Sequence, residues 1–393
     1  MGITLVINPG STSKKYALYK DKVDIFTMRF EETGDGFGVC REKNNEQQKC
    51  ETIEAKTYKG AMELFISSAV DAQVISGVKD IAAIGVRVVA PGDMFSKHQK
   101  INDAYIKALE NLEACVPLHI PAIVAEMYAA MSLIPNIPLY GISDSAFHTS
   151  IPVHRKQFAI NKNDSTEYDI KRFGYHGLSM SSIATHTESF FGFDPDRTVV
   201  VHVGGGVSVT ALHYQESVDT SMGYSPASGV MMGSRVGDFD ADALVSLMAR
   251  KGMRSISTIS EYLNRESGFK GMTGYSDLRF VLNKHTEGDC DATLALQMFR
   301  YQLHRQIGGH VALLGGLDAF IFTGTAVVRN PFLRAYILDG LSGFGLSLDS
   351  ERNDILVGKE GMIHADWSEA SIGVMKNDEM GEIAKAVEGL IVP

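Results

Sequence analysis

The stretch Leu5-Val-Ile-Asn-Pro-Gly-Ser-Thr-Ser-Lys-Lys-Tyr-Ala-Leu-Tyr19 places two apolar runs on either side of a tight turn that is rich in hydroxyl groups. β-Branched and aromatic residues favour strands on both sides, and Asn-Pro-Gly-Ser supplies the turn. Backbone N–H groups, the hydroxyls of Ser11 and Ser13 and the ammonium of Lys15 are thereby gathered in one small concavity, and such concavities bind anions. A phosphate-binding hairpin and a plain surface hairpin fit this stretch about equally well.

A second stretch of the same kind favours the phosphate-binding alternative. Residues 198–212 again give strand, glycine turn and strand, with His202, Val203, Gly204, Gly205 and Gly206 at the bend. Glycines let backbone amides approach a phosphate closely. Two such hairpins can clasp one polyphosphate between two lobes. The sequence therefore predicts an α/β protein of two duplicated actin-like (ribonuclease H-like) domains with an interdomain active-site cleft, over residues 1–148 plus 377–393 and residues 149–376.

The composition is that of a globular protein with sizeable cores, since 45% of its 393 residues are hydrophobic and 21% are charged. A net charge of −10 argues against nucleic acid or an acidic membrane as the main partner. Any anionic substrate must then be held by a few local cations, for which Lys15, Arg87 and Arg235 are the candidates. The longest apolar stretch, residues 310–328, contains Asp318 and three glycines, so we expect no membrane span there.

The cysteines show neither metal-binding spacing nor a dense disulfide framework. There are four, at positions 40, 50, 115 and 290. This pattern favours reduced thiols in a cytoplasmic protein, and no chemistry is assigned to them. The start of the chain lacks the basic and apolar segments of a signal peptide.

Two segments give expectations about local structure that bear on the site. Residues 31–49 form a polar connection with no strong period, which predicts an exposed loop. Residues 319–324 read as a buried strand, followed by a turn and then a helix from residue 332, an arrangement that suits a ribose or base site.

Four polar residues lie where chemistry is plausible, and each has a structural alternative. Arg87 interrupts an apolar strand, so its guanidinium must reach an anion, an acid or water. Asp144 follows a strand, where catalysis and helix capping are equally good explanations. His176 lies in a glycine-flanked turn, where a structural role is the commoner one. Arg235 lies in a glycine-rich loop, and loops of that kind more often carry function than packing.

Six motifs occur in the same order and spacing as in the acetate kinase family, which this chain resembles over nearly its whole length. They are the first hairpin, Arg87-Val-Val, Asp144-Ser-Ala-Phe-His148, Gly174-Tyr-His176-Gly, Asp219-Thr-Ser-Met-Gly and Gly233-Ser-Arg235-Val-Gly237. The resemblance implies a homodimer of two actin-like domains. It implies transfer of the γ-phosphoryl of ATP to acetate or a close homologue, with Mg²⁺, or Mn²⁺ in its place, as the metal.

The resemblance also implies site residues. Asp144, His176, Arg235 and Arg87 would be catalytic, Arg87 also binding substrate, and Asn8 and Glu379 would be metal ligands. The acyl group would contact Val89, Leu118, Tyr175 and Pro226. The nucleotide would contact the two hairpins and two further segments, through Lys15, Ser11, Ser13, His202, Val203, Gly204, Gly205, Gly206, Asp277, Leu278, Arg279, Gly324, Thr325 and Arg329.

Phosphoryl transfer needs charge neutralisation and in-line placement more than covalent help, and guanidinium groups, an imidazole and Mg²⁺ provide both. A carboxylate acceptor is already ionised at neutral pH, because carboxylic acids titrate near ~4. Asp144 is therefore expected to orient an arginine or a metal-bound water and to abstract no proton.

The chain departs from the family pattern in the adenosine loop, where Gly-Ile-Gly-Glu-Asn appears as residues 325–330, Thr-Ala-Val-Val-Arg-Asn, with its glycines lost. The middle glycine of the second hairpin, Gly205, replaces the asparagine of Gly-Asn-Gly. Two alternatives to an ATP-dependent kinase therefore stay open. One is the same fold with pyrophosphate or another donor, and the other is a non-catalytic nucleotide-binding module.

Overall fold

A computed structural model describes residues 2–10, 13–33, 36–43 and 46–391, with nothing said of the side chains at 32, 33, 43 and 46–49. The chain forms two compact units. The first comprises the residues up to Ala146 together with those from Asp378 onward, and the second runs from Phe147 to Asn377. The domain boundaries expected from the sequence, at 148/149 and 376/377, lie within two residues of these.

The described residues contain fourteen strands, eight in the sheet of the first unit and six in that of the second. In the first unit they are β1 (Ile3–Pro9), β2 (Ser13–Lys20), β3 (Val23–Thr33), β4 (Gly36–Lys43), β5 (Glu46–Ile53), β6 (Ile81–Val88), β7 (Gln99–Lys100) and β8 (Leu139–Ser143). In the second unit they are β9 (Arg197–Val203), β10 (Val207–His213), β11 (Glu216–Thr220), β12 (Ala319–Thr323), β13 (Gly361–Met362) and β14 (Ser371–Val374).

Sixteen α-helices accompany these strands in the described residues. They are α1 (Ala55–Lys59), α2 (Ala61–Asp71), α3 (Asp103–Glu110), α4 (Ile120–Leu133), α5 (Val153–Lys156), α6 (Lys162–Glu167), α7 (Gly177–Phe191), α8 (Ala241–Lys251), α9 (Ile256–Arg265), α10 (Gly268–Thr273), α11 (Leu278–Thr286), α12 (Cys290–Leu314), α13 (Thr325–Arg329), α14 (Pro331–Leu338), α15 (Ser350–Ile355) and α16 (Glu379–Ile391). Within the described residues, none combines the length and hydropathy that crossing a bilayer requires.

The two sheets repeat one topology, which confirms the predicted duplication. The first unit contains the order β3-β2-β1-β6-β8 and the second the order β11-β10-β9-β12-β14. In each, the first three strands are antiparallel neighbours and the last two join in parallel. The apolar runs of the central strands are buried on both faces, as expected where helices cover a sheet. Each unit thus places its glycine-containing hairpin beside its parallel strands.

The prediction of an exposed loop over residues 31–49 is wrong. β3 extends to Thr33, and β4 and β5 continue the sheet as antiparallel strands. Val39 is fully buried, and the ring centroid of Phe37 lies 4.5 Å from that of Tyr58. Few apolar residues mark the inner face in the described part of this hairpin, because the edge of a sheet needs charged residues elsewhere. The turn predicted after Gly324 is likewise wrong, since residues 325–329 form the short helix α13.

The expectation that all four cysteines are reduced thiols is also wrong. Cys40 and Cys50 face each other across β4 and β5 and form a disulfide, with Cα atoms 4.2 Å apart. The pairing depends on strand register, which their separation of 10 residues does not reveal. Cys115 and Cys290 are free and exposed.

This pairing predicts a simple thiol count. Denatured without reductant, the protein should react with two equivalents of a thiol reagent, from Cys115 and Cys290, and after reduction with four. A Cys40→Ser/Cys50→Ser variant should give two under both conditions. Four reactive thiols in oxidatively purified protein, without reductant, would contradict the disulfide.

Candidate active site

In the first unit, the β1–β2 hairpin arranges its two lysines on opposite faces of the sheet. Lys14 faces helix α4, where its Nζ lies 2.8 Å from Oε1 of the buried Glu126. Lys15 pairs across the strands with Asn8, so the two side chains share the other face. Ser11 lies outside the described residues. In the turn itself, the N–H of Gly10 donates to the carbonyl oxygen of Ser13 at 2.7 Å.

Arg87, on strand β6, donates hydrogen bonds to the side-chain oxygens of three residues. Its Nε and Nη2 donate to the two oxygens of Asp144, at 3.2 and 2.9 Å. Its Nη1 donates to Oε2 of Glu379 at 3.1 Å and to Oδ1 of Asn8 at 3.2 Å. Burial opposes the charge, but Asp144 and Glu379 outweigh it and raise the pKa of Arg87. The guanidinium is therefore a permanent cation with a fixed orientation.

Asp144 directly follows strand β8, and the loop that precedes β7 holds the end of that strand in place. It is fully buried, and its N–H donates to the carbonyl oxygen of Val88 at 2.9 Å. The preceding residue, Ser143, donates its N–H to Nδ1 of His98 at 3.0 Å and its hydroxyl to the carbonyl oxygen of Phe95. His98 must be neutral to accept this bond. It was not singled out from the sequence, since no motif contains it.

His98 makes the free energy of unfolding depend on pH, and the direction of its pKa shift gives the sign of this dependence. Burial lowers the pKa of His98 below its ordinary value, an effect that Glu382 partly offsets. A histidine with a lower pKa in the folded state stabilises the fold above its unfolded pKa, and this contribution is lost as the pH falls through the folded value. Stability should therefore decline below about pH 6.5.

A His98→Asn variant keeps an acceptor for the Ser143 N–H but cannot titrate. Urea unfolding at a series of pH values should show a flatter acid limb for this variant than for the wild type. His310 is buried and has a lowered pKa as well, so it contributes to both curves and cancels in the difference. Identical limbs in the two proteins would contradict the assignment to His98.

The side-chain oxygens around Arg87 are of the chemical type that Mg²⁺ binds. Among the described residues, no group of three or more His, Cys, Asp or Glu side chains is arranged to hold a metal by itself. Mg²⁺ does not need one, because it commonly binds one or two carboxylates plus phosphate oxygens and water. Glu379 and Asn8 supply hard oxygen donors, and Nδ2 of Asn8 donates to Oε2 of Glu379 at 3.0 Å.

In the second unit, the turn between β9 and β10 is closed by a bond from the N–H of Gly204 to the carbonyl oxygen of Gly206, at 2.9 Å. A Cβ atom at Gly206 would lie 2.8 Å from Nε2 of His176 and 3.5 Å from Nη1 of Arg235. A Cβ atom at Gly205 would meet nothing within 4 Å. An imidazole and a guanidinium therefore converge on the last glycine of the turn.

His176 has a backbone conformation that is unusual for a residue with a side chain. Its φ is 60°, in the left-handed region, directly before helix α7. Its ring stacks on that of His202, with centroids 4.2 Å apart. Such conformations persist where the surroundings enforce them, often at functional sites. This strain favours the functional interpretation of His176 over the structural one.

Arg235 is buried, 5% exposed, and its guanidinium lies against backbone carbonyls. Nη1 donates to the carbonyl oxygen of Pro226 at 3.0 Å, and Nη2 to that of Gly205 at 3.5 Å. These bonds aim the charge at the glycine turn. An anion in the turn would therefore meet a fixed positive charge.

The contacts around the turn predict different losses of turnover when two neighbouring glycines are each replaced by alanine. Gly206→Ala places a methyl group against Nε2 of His176, and turnover should fall by about a hundredfold, the cost of losing one aligned donor. Gly205→Ala is the matched variant, with open space at its Cβ, and its loss should be at least about tenfold smaller. Steady-state rates of the two folded variants test this. Equal losses would show that the contact with His176 is irrelevant.

The segment expected to contact the nucleotide base is held by a buried arginine. Arg334 donates to the carbonyl oxygens of Val327 and Val328 in α13, at 2.6 and 3.2 Å, and to that of Leu356 at 2.7 Å. Burial lowers its pKa to about 10, with Asp354 opposing the shift. The guanidinium therefore fixes α13 against the end of α15. Of the predicted contacts here, Thr325 and Arg329 are exposed at the surface of α13.

The remaining predicted residues have varied environments. Val89 is buried and Leu118 half-buried in the first unit, and Pro226 is buried in the second. Tyr175 is fully buried, and its hydroxyl donates to the carbonyl oxygen of Tyr224 at 2.6 Å. Asp277 caps helix α11 and pairs with the exposed Arg279, which lowers the pKa of Asp277.

Comparison with known proteins gives one consistent result. The sequence profile of the acetokinase family matches residues 3–385. An acetate kinase from Caldanaerobacter subterraneus is 33% identical over 397 aligned positions, covering 98% of each chain. The solved acetate kinase of Porphyromonas gingivalis has a TM-score of 0.84 at 29% identity over 100% of both chains. A propionate kinase from Francisella tularensis has a TM-score of 0.86 at 28% identity, covering 98% of this chain and 99% of that one.

The repeated sheet topology and the similarity to the solved acetate and propionate kinases define a phosphotransferase of the duplicated actin-like class. With the profile matching nearly its whole length, this chain belongs to the acetokinase family. It is a phosphotransferase whose acceptor is the carboxyl group of a short-chain acid.

Proposed function

We propose that this protein transfers the γ-phosphoryl group of ATP to acetate or a close homologue, reversibly, giving an acyl phosphate and ADP. The observation that supports this most is the convergence of Arg235 and His176 on Gly206. A fixed cation and an imidazole at an anion-binding turn suit the charge that develops on a transferred phosphoryl group.

In the first unit, we assign Arg87 to charge neutralisation and substrate binding. Asp144 holds it by two bonds and is the orienting acid. Because the acceptor is already a carboxylate at neutral pH, no proton has to be removed from it. Asp144 then acts by fixing the guanidinium, and not as a general base. Val89 and Leu118 are the proposed apolar contacts for the acyl group in this unit.

Glu379 and Asn8 would hold the magnesium ion, or Mn²⁺ in its place. When bound, the metal would neutralise charge on the nucleotide phosphates and on the phosphoryl group in transfer. Lys15 shares a sheet face with Asn8 and is the proposed phosphate contact of the first hairpin, together with Ser11 and Ser13.

In the second unit, His176 and Arg235 are the proposed stabilisers of the transition state, and Tyr175 and Pro226 the acyl contacts. The nucleotide contacts proposed there are the glycine turn with its preceding strand end, the start of α11, and the loop into α13: His202, Val203, Gly204, Gly205, Gly206, Asp277, Leu278, Arg279, Gly324, Thr325 and Arg329.

We further propose a homodimer formed through the second unit. Helices α8 and α9 contain no buried residue, although both carry apolar side chains. Val245 is 62% exposed and Ile256 72% exposed. Covering such residues with a second copy would remove apolar surface from water. The proposed location is the cytoplasm, where ATP is available. Thiols there are kept reduced, so Cys40–Cys50 would mark an oxidised form.

A hydroxamate assay separates the open alternatives. Acetate, propionate and butyrate are each offered with ATP, GTP and pyrophosphate, and hydroxylamine traps any acyl phosphate as the hydroxamate. We expect product with ATP and with acetate or propionate. If product forms with pyrophosphate and not with ATP or GTP, pyrophosphate is the phosphoryl donor. No product from folded protein with any donor would favour a non-catalytic binding module.

A further inference from the structure

Both histidines at the glycine turn are bonded through Nδ1 to a fully buried serine. Nδ1 of His176 lies 2.9 Å from the hydroxyl oxygen of Ser208, and Nδ1 of His202 lies 2.9 Å from that of Ser179. Both serine side chains are inaccessible to water. Nothing in the sequence motifs assigns a role to either serine.

The four residues form a reciprocal arrangement between two elements. His176 and Ser179 stand at the start of α7, while His202 and Ser208 are directly opposite each other on β9 and β10. Each element thus contributes one imidazole and one hydroxyl, and each hydroxyl bonds the imidazole of the other element. Because the two rings also stack at an interplanar angle of 28°, neither is easily turned alone.

These bonds determine which edge of each ring faces the glycine turn. A Cβ atom at Gly206 would lie 2.8 Å from Nε2 of His176, and one at Gly204 would lie 3.1 Å from Nε2 of His202. With Nδ1 bonded to serine, the Nε2 edge of both rings borders the turn. Whether Nε2 presents a hydrogen or a lone pair depends on the tautomer.

We propose that Ser208 and Ser179 are positioning residues that select the Nε2–H tautomer of both histidines. Each serine hydroxyl donates to Nδ1, which leaves the ring hydrogen on Nε2, aimed at the phosphate oxygens that the turn would bind. No proton is transferred in this role. Two protonated imidazoles stacked 4.2 Å apart would repel each other, and a proton on either ring would add a cation near Arg235, so the proposal assigns both rings the neutral form. The use of these donors rests on the proposed kinase function.

The first test needs no variant and no activity. Nitrogen-15 NMR of the intact wild-type protein at pH 7.5 distinguishes the two neutral tautomers and the cation of each histidine, with His176→Gln and His202→Gln used only to assign the signals. We expect the neutral Nε2–H form at both positions. The Nδ1–H form, or a cation, at either position would overturn the proposal. A protein with this tautomer pattern and no kinase activity would refute the proposed function alone.

The second test links the tautomer to turnover. Ser208→Ala should populate both tautomers of His176 and lower kcat by about tenfold, with KM for both substrates within about twofold, because binding groups elsewhere are unchanged. Ser208→Thr keeps the hydroxyl and should restore the Nε2–H signal and most of kcat. Ser179→Ala should act in the same way through His202.

Thr210→Val is the matched control, because it removes a fully buried hydroxyl two residues along β10 that bonds Thr220 instead. It should leave the histidine signals unmoved. If folded Ser208→Ala retains the wild-type tautomer and a kcat within about twofold, the serine is merely structural and the proposal fails.

Discussion

An Arg87→Lys enzyme is expected to lose about a hundredfold or more of kcat/KM while remaining folded. The guanidinium bonds both oxygens of Asp144 and also reaches Glu379 and Asn8. A lysine ammonium keeps the charge but cannot make that set of bonds from one position. The positive charge would then be misplaced for the transferred phosphoryl group, as steady-state kinetics with saturating donor would show.

Arg87→Ala should differ from the lysine variant in stability as well as in rate. Asp144 and Glu379 would be left as two partly or fully buried carboxylates without their cation, which costs about 3–5 kcal/mol in comparable cases. Arg29→Ala is the matched control, since Arg29 pairs with Glu42 at an exposed position of the same sheet. A lysine variant with wild-type kcat/KM would remove Arg87 from the mechanism.

The second large effect is expected at Arg235. Arg235→Ala should lower kcat by about 10²–10³-fold, because the turn would lose the buried guanidinium that Arg235 places on the carbonyl of Gly205. The effect should appear mainly in kcat, since the charge matters most in the transition state. Single-turnover measurements of acyl phosphate formation would isolate that step.

Arg172→Ala serves as the matched control for Arg235→Ala. Arg172 belongs to the same unit and also donates to backbone carbonyls, those of Thr220 and Met222, at 2.6 and 3.3 Å. It has no proposed part in phosphoryl transfer. If both variants lose similar amounts of kcat, the loss at Arg235 reflects general loosening of the unit and not transition-state charge.

Much of the fold was accessible from the sequence, because its strongest signals are local. Glycine turns between β-branched runs predicted both hairpins, and their recurrence predicted the duplicated topology. The strands β4 and β5 were missed because an edge hairpin carries few apolar residues. The Cys40–Cys50 disulfide was missed for a related reason, since it depends on the register of that hairpin.

Contacts within the candidate site were predictable where a residue type was out of place, and not where it fitted its element. Arg87 inside an apolar strand demanded a partner, which proved to be Asp144 and Glu379. The serines at 179 and 208 and His98 gave no such signal, because they act through partners 23, 32 and 45 residues away. Lys14 pairs with Glu126, whereas Lys15 shares a sheet face with Asn8 and stays the proposed phosphate contact.

The most direct test of the central claim is phosphorus NMR of the wild-type protein with ATP, magnesium and acetate, without a trapping agent. The account predicts that an acyl phosphate resonance grows in step with ADP as the γ-phosphate signal of ATP declines. It further predicts that Arg87→Lys and Arg235→Ala slow both signals together. Release of inorganic phosphate in place of acyl phosphate, or no change from folded enzyme with acetate or propionate, would contradict it.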